Sequence, residues 1–380
     1  MIIDDHFEQQ LSAETLAALN GEYRNGSFES SSNILLQRQP KIVPVKTLSQ
    51  FIKEYRPLAY IIANIVTTFS IYTLTAKTGA GKTALNTIIA LAVATGREDI
   101  LGYSVFKGRV VYLAFENPND VRMRFMIAAF AFGIDINEID KAILLIDARH
   151  KPEDIHLVLQ KESATDPLSL IIIDTLQAAF DGNDSNAAVQ AGEFIRRVRA
   201  FTQISGNPAV LIAAHPIKNA PESNLSPYGS GAVLNEVDGN LTLWRGDTGI
   251  VTLHWQGKIR GLDFKPVLFR IELLDCPDVL DSKGHRVRLP VMFPAGETAV
   301  ADREREQENT DIMLLKAMRD NPQATVDELG KIINRVKSSV TSRLQRLSKE
   351  KLVEKSLNRW CLTAKGAKSL KLELATDAPR

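Results

Sequence analysis

Two glycines one residue apart, followed directly by lysine and threonine, form a phosphate cradle when backbone N–H groups can turn inward around them. Ala76-Lys-Thr-Gly-Ala-Gly-Lys-Thr83 has that order. Gly79 and Gly81 carry no Cβ, so the backbone can close on phosphate oxygens. Lys82 then reaches the outer phosphates, and the Thr83 hydroxyl is placed to ligate Mg²⁺. Ala76 stands where such loops usually have their first glycine. The expected cradle is Ala76, Lys77, Thr78, Gly79, Ala80, Gly81, Lys82, Thr83 and Ala84. A loop of this kind works only between a strand and a helix. Ser70-Ile-Tyr-Thr-Leu-Thr-Ala76 alternates β-branched and aromatic residues ahead of it, and Ala84 to Ala94 is apolar and helix-like behind it. The chemistry is therefore that of a nucleoside triphosphate, with ATP and Mg²⁺ as the expected ligands.

Hydrolysis also needs an activated water and charge stabilisation opposite the γ-phosphate. Asp174 closes the apolar run Leu168-Ser-Leu-Ile-Ile-Ile173 and is the candidate metal carboxylate beside Thr83. Glu116 closes Lys107-Gly-Arg-Val-Val-Tyr-Leu-Ala-Phe115 and is the candidate general base. His215 closes Pro208-Ala-Val-Leu-Ile-Ala-Ala214, where it can sense the γ-phosphate and signal into the following loop. Each has a plainer reading as well: a turn-capping Asp, a solvated strand-end Glu, a core His.

The elements that must position these residues are legible. Ala142-Ile-Leu-Leu-Ile-Asp147 reads as a further buried strand, and Asn119–Phe132, Pro152–Glu162 and Ala187–Ile204 read as helices. Continuous apolar strands alternating with helices predict a parallel sheet covered on both faces. Such sheets bind ligands at the carboxyl ends of their strands. After His215 comes a polar loop, Lys218–Ser230, and then the strands Gly239–Arg245, Gly249–Gln256 and Lys265–Leu273, the first two joined by a tight Gly-Asp turn. The sheet is thus expected to be mixed, its parallel part extended by antiparallel strands. From Asp311 the pattern is three helices, two short strands around a turn, and a last helix: a winged helix-turn-helix. The expected division is an N-terminal arm (1–46) with a possible helix over Thr47–Tyr60 beyond it, an α/β nucleotide domain (47–298), a linker (299–310) and a small C-terminal domain (311–380).

Composition bounds the rest. The 380 residues are 44% hydrophobic and 24% charged, which describes a globular chain. Net charge is +1, but residues 311–380 hold 15 Lys/Arg against 8 Asp/Glu, so that segment is +7 and the remainder −6. Two distant cysteines, Cys276 and Cys361, suggest a reducing compartment. The acidic N-terminus and the interrupted apolar stretch Tyr60–Ala94 argue against a secretory signal or membrane span. The expected location is cytoplasmic, with no membrane partner.

The segments A-K-T-G-A-G-K-T, V-V-Y-L-A-F-E-N, L-I-I-I-D-T-L and L-I-A-A-H-P-I-K resemble the RecA-type ATPases. Within these they are most similar to the AAA_25/RepA-like branch that includes plasmid hexameric replicative helicases. The resemblance covers about Tyr60 to Leu274. It implies a RecA-like P-loop core, Glu116 as catalytic base, His215 as sensor, and Lys218–Gly231 as a loop facing single-stranded DNA in a central channel. Lys258-Ile-Arg260 resembles the Lys-x-Arg pair with which related helicases reach into a neighbour's nucleotide site, implying a homo-oligomer, expected to be a hexamer. The C-terminal part resembles winged-helix DNA-binding domains. By that likeness Ser338–Lys349 is the recognition helix, presenting Ser339, Ser342, Arg343 and Arg346 to duplex DNA, with Lys355 and Arg359 beside the wing.

The resulting expectation is a ring-forming, Mg²⁺-dependent ATPase that acts on DNA, as helicase or translocase in replication of a mobile element. The rival is a DNA-binding ATPase switch that assembles with ATP and does not unwind. A small-molecule kinase shares the P-loop but is disfavoured, because Lys258 and Arg260 suggest subunit contacts and kinases rarely carry a winged helix.

Overall fold

The computed structural model describes residues 45–376, apart from 56, 185–186, 247–248, 336 and 357–358. The expected N-terminal arm lies almost wholly outside the described residues, as does Asp247 of the Gly-Asp turn. The chain divides between Pro57 and Leu58 into two units. Of the first, the described part holds one short helix, α1 (Leu48–Lys53), opened by a capping box between Thr47 and Gln50. The expected Thr47–Tyr60 helix is cut to these six residues.

The second unit opens with a small ribbon, β1 (Tyr60–Ile62) against β2 (Val66–Thr67), and then builds one nine-stranded sheet. In chain order come β3 (Ile71–Ala76), α2 (Lys82–Thr95), β4 (Arg109–Ala114), α3 (Pro118–Ala131), β5 (Ile143–Ile146) and α4 (Pro152–Glu162). They are followed by β6 (Leu168–Asp174), α5 (Leu176–Ala179), α6 (Ala188–Arg199), β7 (Ala209–Ala214) and α7 (Ser230–Glu236). The sheet is completed by β8 (Gly239–Arg245), β9 (Val251–Ile259), β10 (Val267–Leu274) and β11 (Leu289–Pro294), in the spatial order β11-β10-β9-β8-β3-β7-β6-β4-β5. From β8 to β5 all neighbours are parallel, and from β8 to β11 all are antiparallel. The mixed α/β sheet read from the sequence is the observed one.

Two cores flank it because side chains of a strand alternate in direction. Val110, Tyr112, Leu170, Ile172 and Leu211 pack with α2 on one face. Val111, Leu113, Ile171, Ile173, Val210 and Ile212 pack with α4 and α6 on the other. All of α2 except Thr83 and Thr95 is buried, which explains why its sequence shows no polar stripe. One expectation needs correction: Ile143–Ile146 is an edge strand, half-buried with Leu145 exposed, and not a fully buried one. A strand the sequence did not suggest, β11, closes the other edge.

The C-terminal part has its own core, gathered from Leu314, Met318, Leu329, Val340, Leu344, Val353 and Leu370. Its elements are α8 (Glu297–Asp320), α9 (Val326–Ile332), α10 (Lys337–Lys349), β12 (Val353–Ser356), β13 (Arg359–Leu362) and α11 (Ala364–Thr376). Residues 299–310, expected as a linker, belong to α8, which runs unbroken for 24 residues into the C-terminal core. The strand β12 pairs antiparallel with β13, as a wing requires.

Candidate nucleotide site

The cradle begins where β3 ends. Gly79 (φ +80°) and Gly81 (φ +102°) both adopt the left-handed conformation that favours glycine. A Cβ on Gly81 would fall 2.1 Å from the Met292 methyl of β11. Gly81 caps α2, which has no side-chain cap and no acidic residue in its first turn. Its first N–H groups are thus left for an anion, at the positive end of the helix. Lys82 Nζ donates to the Ala76 carbonyl at 2.9 Å and lies 3.3 Å from His215 Nδ1. An ammonium can only donate, so the imidazole accepts at Nδ1 and carries its proton on Nε2.

Asp174 is buried at the end of β6. Its Oδ2 accepts from the Tyr112 hydroxyl at 2.6 Å, whereas Oδ1 has no partner. An unpaired carboxylate oxygen in a buried site is costly unless something else completes it. Thr83 lines the same cleft, and the two side chains fit one edge of a Mg²⁺ shell. The described residues hold no group of three or more His, Cys, Asp or Glu suited to a metal. That suits an ion held chiefly by phosphate and water, as Mg²⁺ usually is.

Glu116 lies two residues past β4, exposed at the cleft, with its N–H and that of Phe115 both donating to the Asp174 carbonyl at 3.3 and 3.0 Å. This clamp sets Glu116 beside Asp174 at the cleft. Asn117 follows and caps α3 through Asp120 N–H.

Burial governs the electrostatics. Desolvation lowers the Lys82 pKa, and the charges of Asp174 and Glu116 partly offset it. Desolvation and then the Lys82 charge lower that of His215, favouring the neutral ring. Desolvation raises that of Asp174 against its hydrogen bond from Tyr112. A buried ammonium and a buried carboxylate, each disfavoured in its charged form by desolvation, therefore share one cleft.

Lys82, Thr83, Glu116, Asp174 and His215 line one cleft of about 290 Å³, which also takes in Asp120, Arg124 and Pro290. Sequence reading did not single out these last three, nor Tyr112. The i,i+4 spacing of Asp120 and Arg124, which form an ion pair at 2.5 Å, was the available signal. Tyr112 and Pro290 become visible only through strand pairing. A cis peptide joins Asp174 to Thr175.

Lys258 and Arg260 lie elsewhere. Ile259 pairs with Gly239, which pairs with Tyr72, four residues before the end of β3. The Lys-x-Arg pair is thus at the amino end of the sheet, away from its own cradle. The Lys218–Gly231 segment is closely tied: Tyr228 N–H donates to the His215 carbonyl (2.7 Å), and Gln256 Oε1 accepts from Leu225 N–H (2.6 Å). Buried Asn240 donates to the Leu225 and Gln256 carbonyls and accepts from the Thr73 and Thr75 hydroxyls, so the loop hangs from the cradle's own strand.

In the winged helix, Arg343 and Arg346 do not face outward. Both form ion pairs with Asp311 of α8, Arg343 at 2.9 Å. Among the described side chains of α10 the exposed ones are Lys337, Ser342, Gln345 and Lys349, with Lys337 held by Asp327 at 2.6 Å. Ser339 is half-buried, and Lys355 and Arg359 beside the wing are exposed.

Residues 37–221 match the family model of an AAA domain, and residues 307–354 match that of a winged helix-turn-helix DNA-binding domain. No curated protein matches the chain. No helix among the described residues is long and apolar enough to cross a membrane.

Proposed function

We propose that this chain, an AAA-type P-loop ATPase domain followed by a winged helix-turn-helix, hydrolyses ATP at a site shared between subunits of a RepA-like ring and acts on DNA. The observation that carries the ATPase reading is the convergence of Lys82, Thr83, Glu116, Asp174 with its unpaired Oδ1, and His215 on one cleft. Ala76–Ala84 would hold the phosphates. Thr83 and Asp174 would hold Mg²⁺, which neutralises the β- and γ-phosphate oxygens when bound. Glu116 takes a proton from the attacking water, the new P–O bond forms at the γ-phosphorus, and the bond to the β-phosphate oxygen breaks. Lys82 stabilises the charge on the transferring group. His215, neutral and already touching Lys82, registers the loss of that group.

Besides Lys82, the Lys or Arg among the described residues lining the cleft is Arg124, which is paired with Asp120 at 2.5 Å. Arg260 lies at the opposite end of the sheet, so in this reading it and Lys258 serve the next subunit. Arg260→Ala is expected to abolish turnover while nucleotide binding and assembly persist. Normal turnover in that variant overturns the shared site.

The work done with ATP is proposed as translocation on DNA during replication of a mobile element. A second reading is favoured by one observation: the Lys218–Gly231 loop carries Lys218 as its single cation and is pinned by Asn240 and Gln256. A loop built to grip a phosphate backbone usually carries more charge. The second reading is an ATP-dependent switch that assembles on duplex DNA without unwinding it. Strand displacement with ATPase stimulated by single-stranded DNA selects the translocase. Duplex binding and nucleotide-dependent assembly without displacement select the switch.

A further inference from the structure

We infer that Asp238 is the positioning residue that holds Arg260 ready for a neighbouring subunit's nucleotide, an inference that rests on the shared-site reading above. Asp238 sits at the junction of α7 and β8 with 7% of its side chain exposed, whereas that of Arg260 is 68% exposed. Three donors from three elements fix its carboxylate. Oδ2 accepts from the Ile71 N–H of β3 and from Arg199 Nη1 of α6, each at 2.9 Å. Oδ1 accepts from Arg260 Nη1, also at 2.9 Å. The backbone repeats the tie: Asp238 N–H donates to the Ile71 carbonyl and Arg260 N–H to the Asp238 carbonyl, both at 2.7 Å.

An exposed ion pair between two mobile side chains would mean little. Here one partner is immobile, so the exposed guanidinium is fixed at one corner. Among the described residues it has no other side-chain partner, which leaves its remaining N–H groups for a phosphate. A charge that must meet a transferring phosphoryl group gains from such preorganisation, since a misplacement of about 1 Å costs on the order of a hundredfold in rate. Lys258 is held beside it by the Asn235 carbonyl at 2.6 Å. The anchor also rests on the first residue of the strand whose last residue opens the cradle, so each subunit's own site and the group it lends are joined through β3.

The test uses mixtures of full-length chains. Arg260→Ala lacks the lent arginine but keeps its cradle, and Lys82→Ala lacks a working cradle but keeps its arginine. Recovery of ATPase on mixing supports the shared site. No recovery in mixed assemblies overturns that reading, whatever Asp238 does. Asp238→Asn keeps an oxygen for Ile71 and Arg199 and turns an NH₂ toward Arg260, donor against donor. Its kcat is expected to fall about tenfold to a hundredfold, with affinity for a fluorescent ATP analogue unchanged and turnover restored by mixing with Lys82→Ala. Restoration locates the defect in the lent group, which a general loss of stability would not do. An unchanged kcat, or a fall that mixing does not restore, overturns the role of Asp238. If Asp238→Asn fails to bind the analogue, Arg199→Met removes a brace of the same carboxylate without facing Arg260. A smaller loss restored by mixing is then expected, and a loss that is not restored overturns the inference.

Discussion

Asp174 and His215 are held in the cleft at opposite cost. For His215 the folded pKa lies below the ordinary 6.5. Just below that value the unfolded chain binds more protons than the folded one, so stability falls as pH drops through the window. His215→Asn is expected to flatten this acid-side loss in a thermal melt followed from neutral pH downward, and an unchanged pH profile would refute it. Asp174 has the reverse sign. Its folded pKa is raised above 3.8, so the stability present at low pH is lost as pH rises through that raised value. Burying the ionised carboxylate therefore costs stability in the nucleotide-free protein. Asp174→Asn, which keeps an oxygen for the Tyr112 hydroxyl, should raise the Tm of the nucleotide-free protein by roughly 1–4 °C while removing Mg²⁺-dependent turnover. The gain should shrink as the pH approaches 3.8. A lower Tm at neutral pH would mean that the carboxylate stabilises the empty fold and is not kept for a ligand.

At the scale of elements, the winged helix separates cations that hold it together from cations left for a partner. Asp311 carries both Arg343 and Arg346, all three side chains being at most 22% exposed. Asp311→Ala removes the ion pairs that tie both arginines to α8, at a cost of about 1–3 kcal/mol. It should melt the C-terminal part earlier and weaken duplex binding only through that loss. Lys349→Ala touches no such pair and should leave the melt unchanged, lower duplex affinity and reduce the salt slope by about 1. If Arg343→Ala weakens binding without moving the melt, the assignment of these two arginines is wrong. The sequence could not separate them, because the spacing along α10 is equally good for a groove and for α8; only a contact more than thirty residues away decides. The strands β3, β4, β6 and β7 were legible because burial on both faces leaves a continuous apolar run. Leu289–Pro294 was not, since prolines at 290 and 294 argue against a strand except at a sheet edge, which is where β11 lies. The charged stretch 299–310 looked like a linker because it has few apolar residues, yet its Glu, Arg and Gln residues are good helix formers and simply extend α8.

At the scale of the molecule, the basic C-terminal segment (+7) is joined to an acidic remainder (−6) by one uninterrupted helix. Like charge between the acidic part and the phosphate backbone favours holding a duplex on the winged helix. The helix α8 starts three residues after β11, whose Met292 sits against Gly81 of the cradle, and Ala295 N–H ties the junction to the Leu268 carbonyl of β10 at 2.8 Å. One continuous helix thus leads from the winged helix to the strand beside the cradle. A ligand that biases one end can bias the other only if the helix between them stays stiff. Glu308 is an exposed position of α8 ahead of the C-terminal core. Proline there removes a helix hydrogen bond and clashes with the preceding turn, breaking or kinking the helix at about 3 kcal/mol. The native chain is expected to change its ATPase rate when duplex DNA is added. Glu308→Pro should keep both its basal rate and its duplex affinity, yet lose the response. Titrating duplex into both proteins while following phosphate release and DNA anisotropy tests this directly. A response that survives in Glu308→Pro would show that α8 does not carry the coupling, and a proline variant with impaired basal turnover would show that α8 supports the cradle itself.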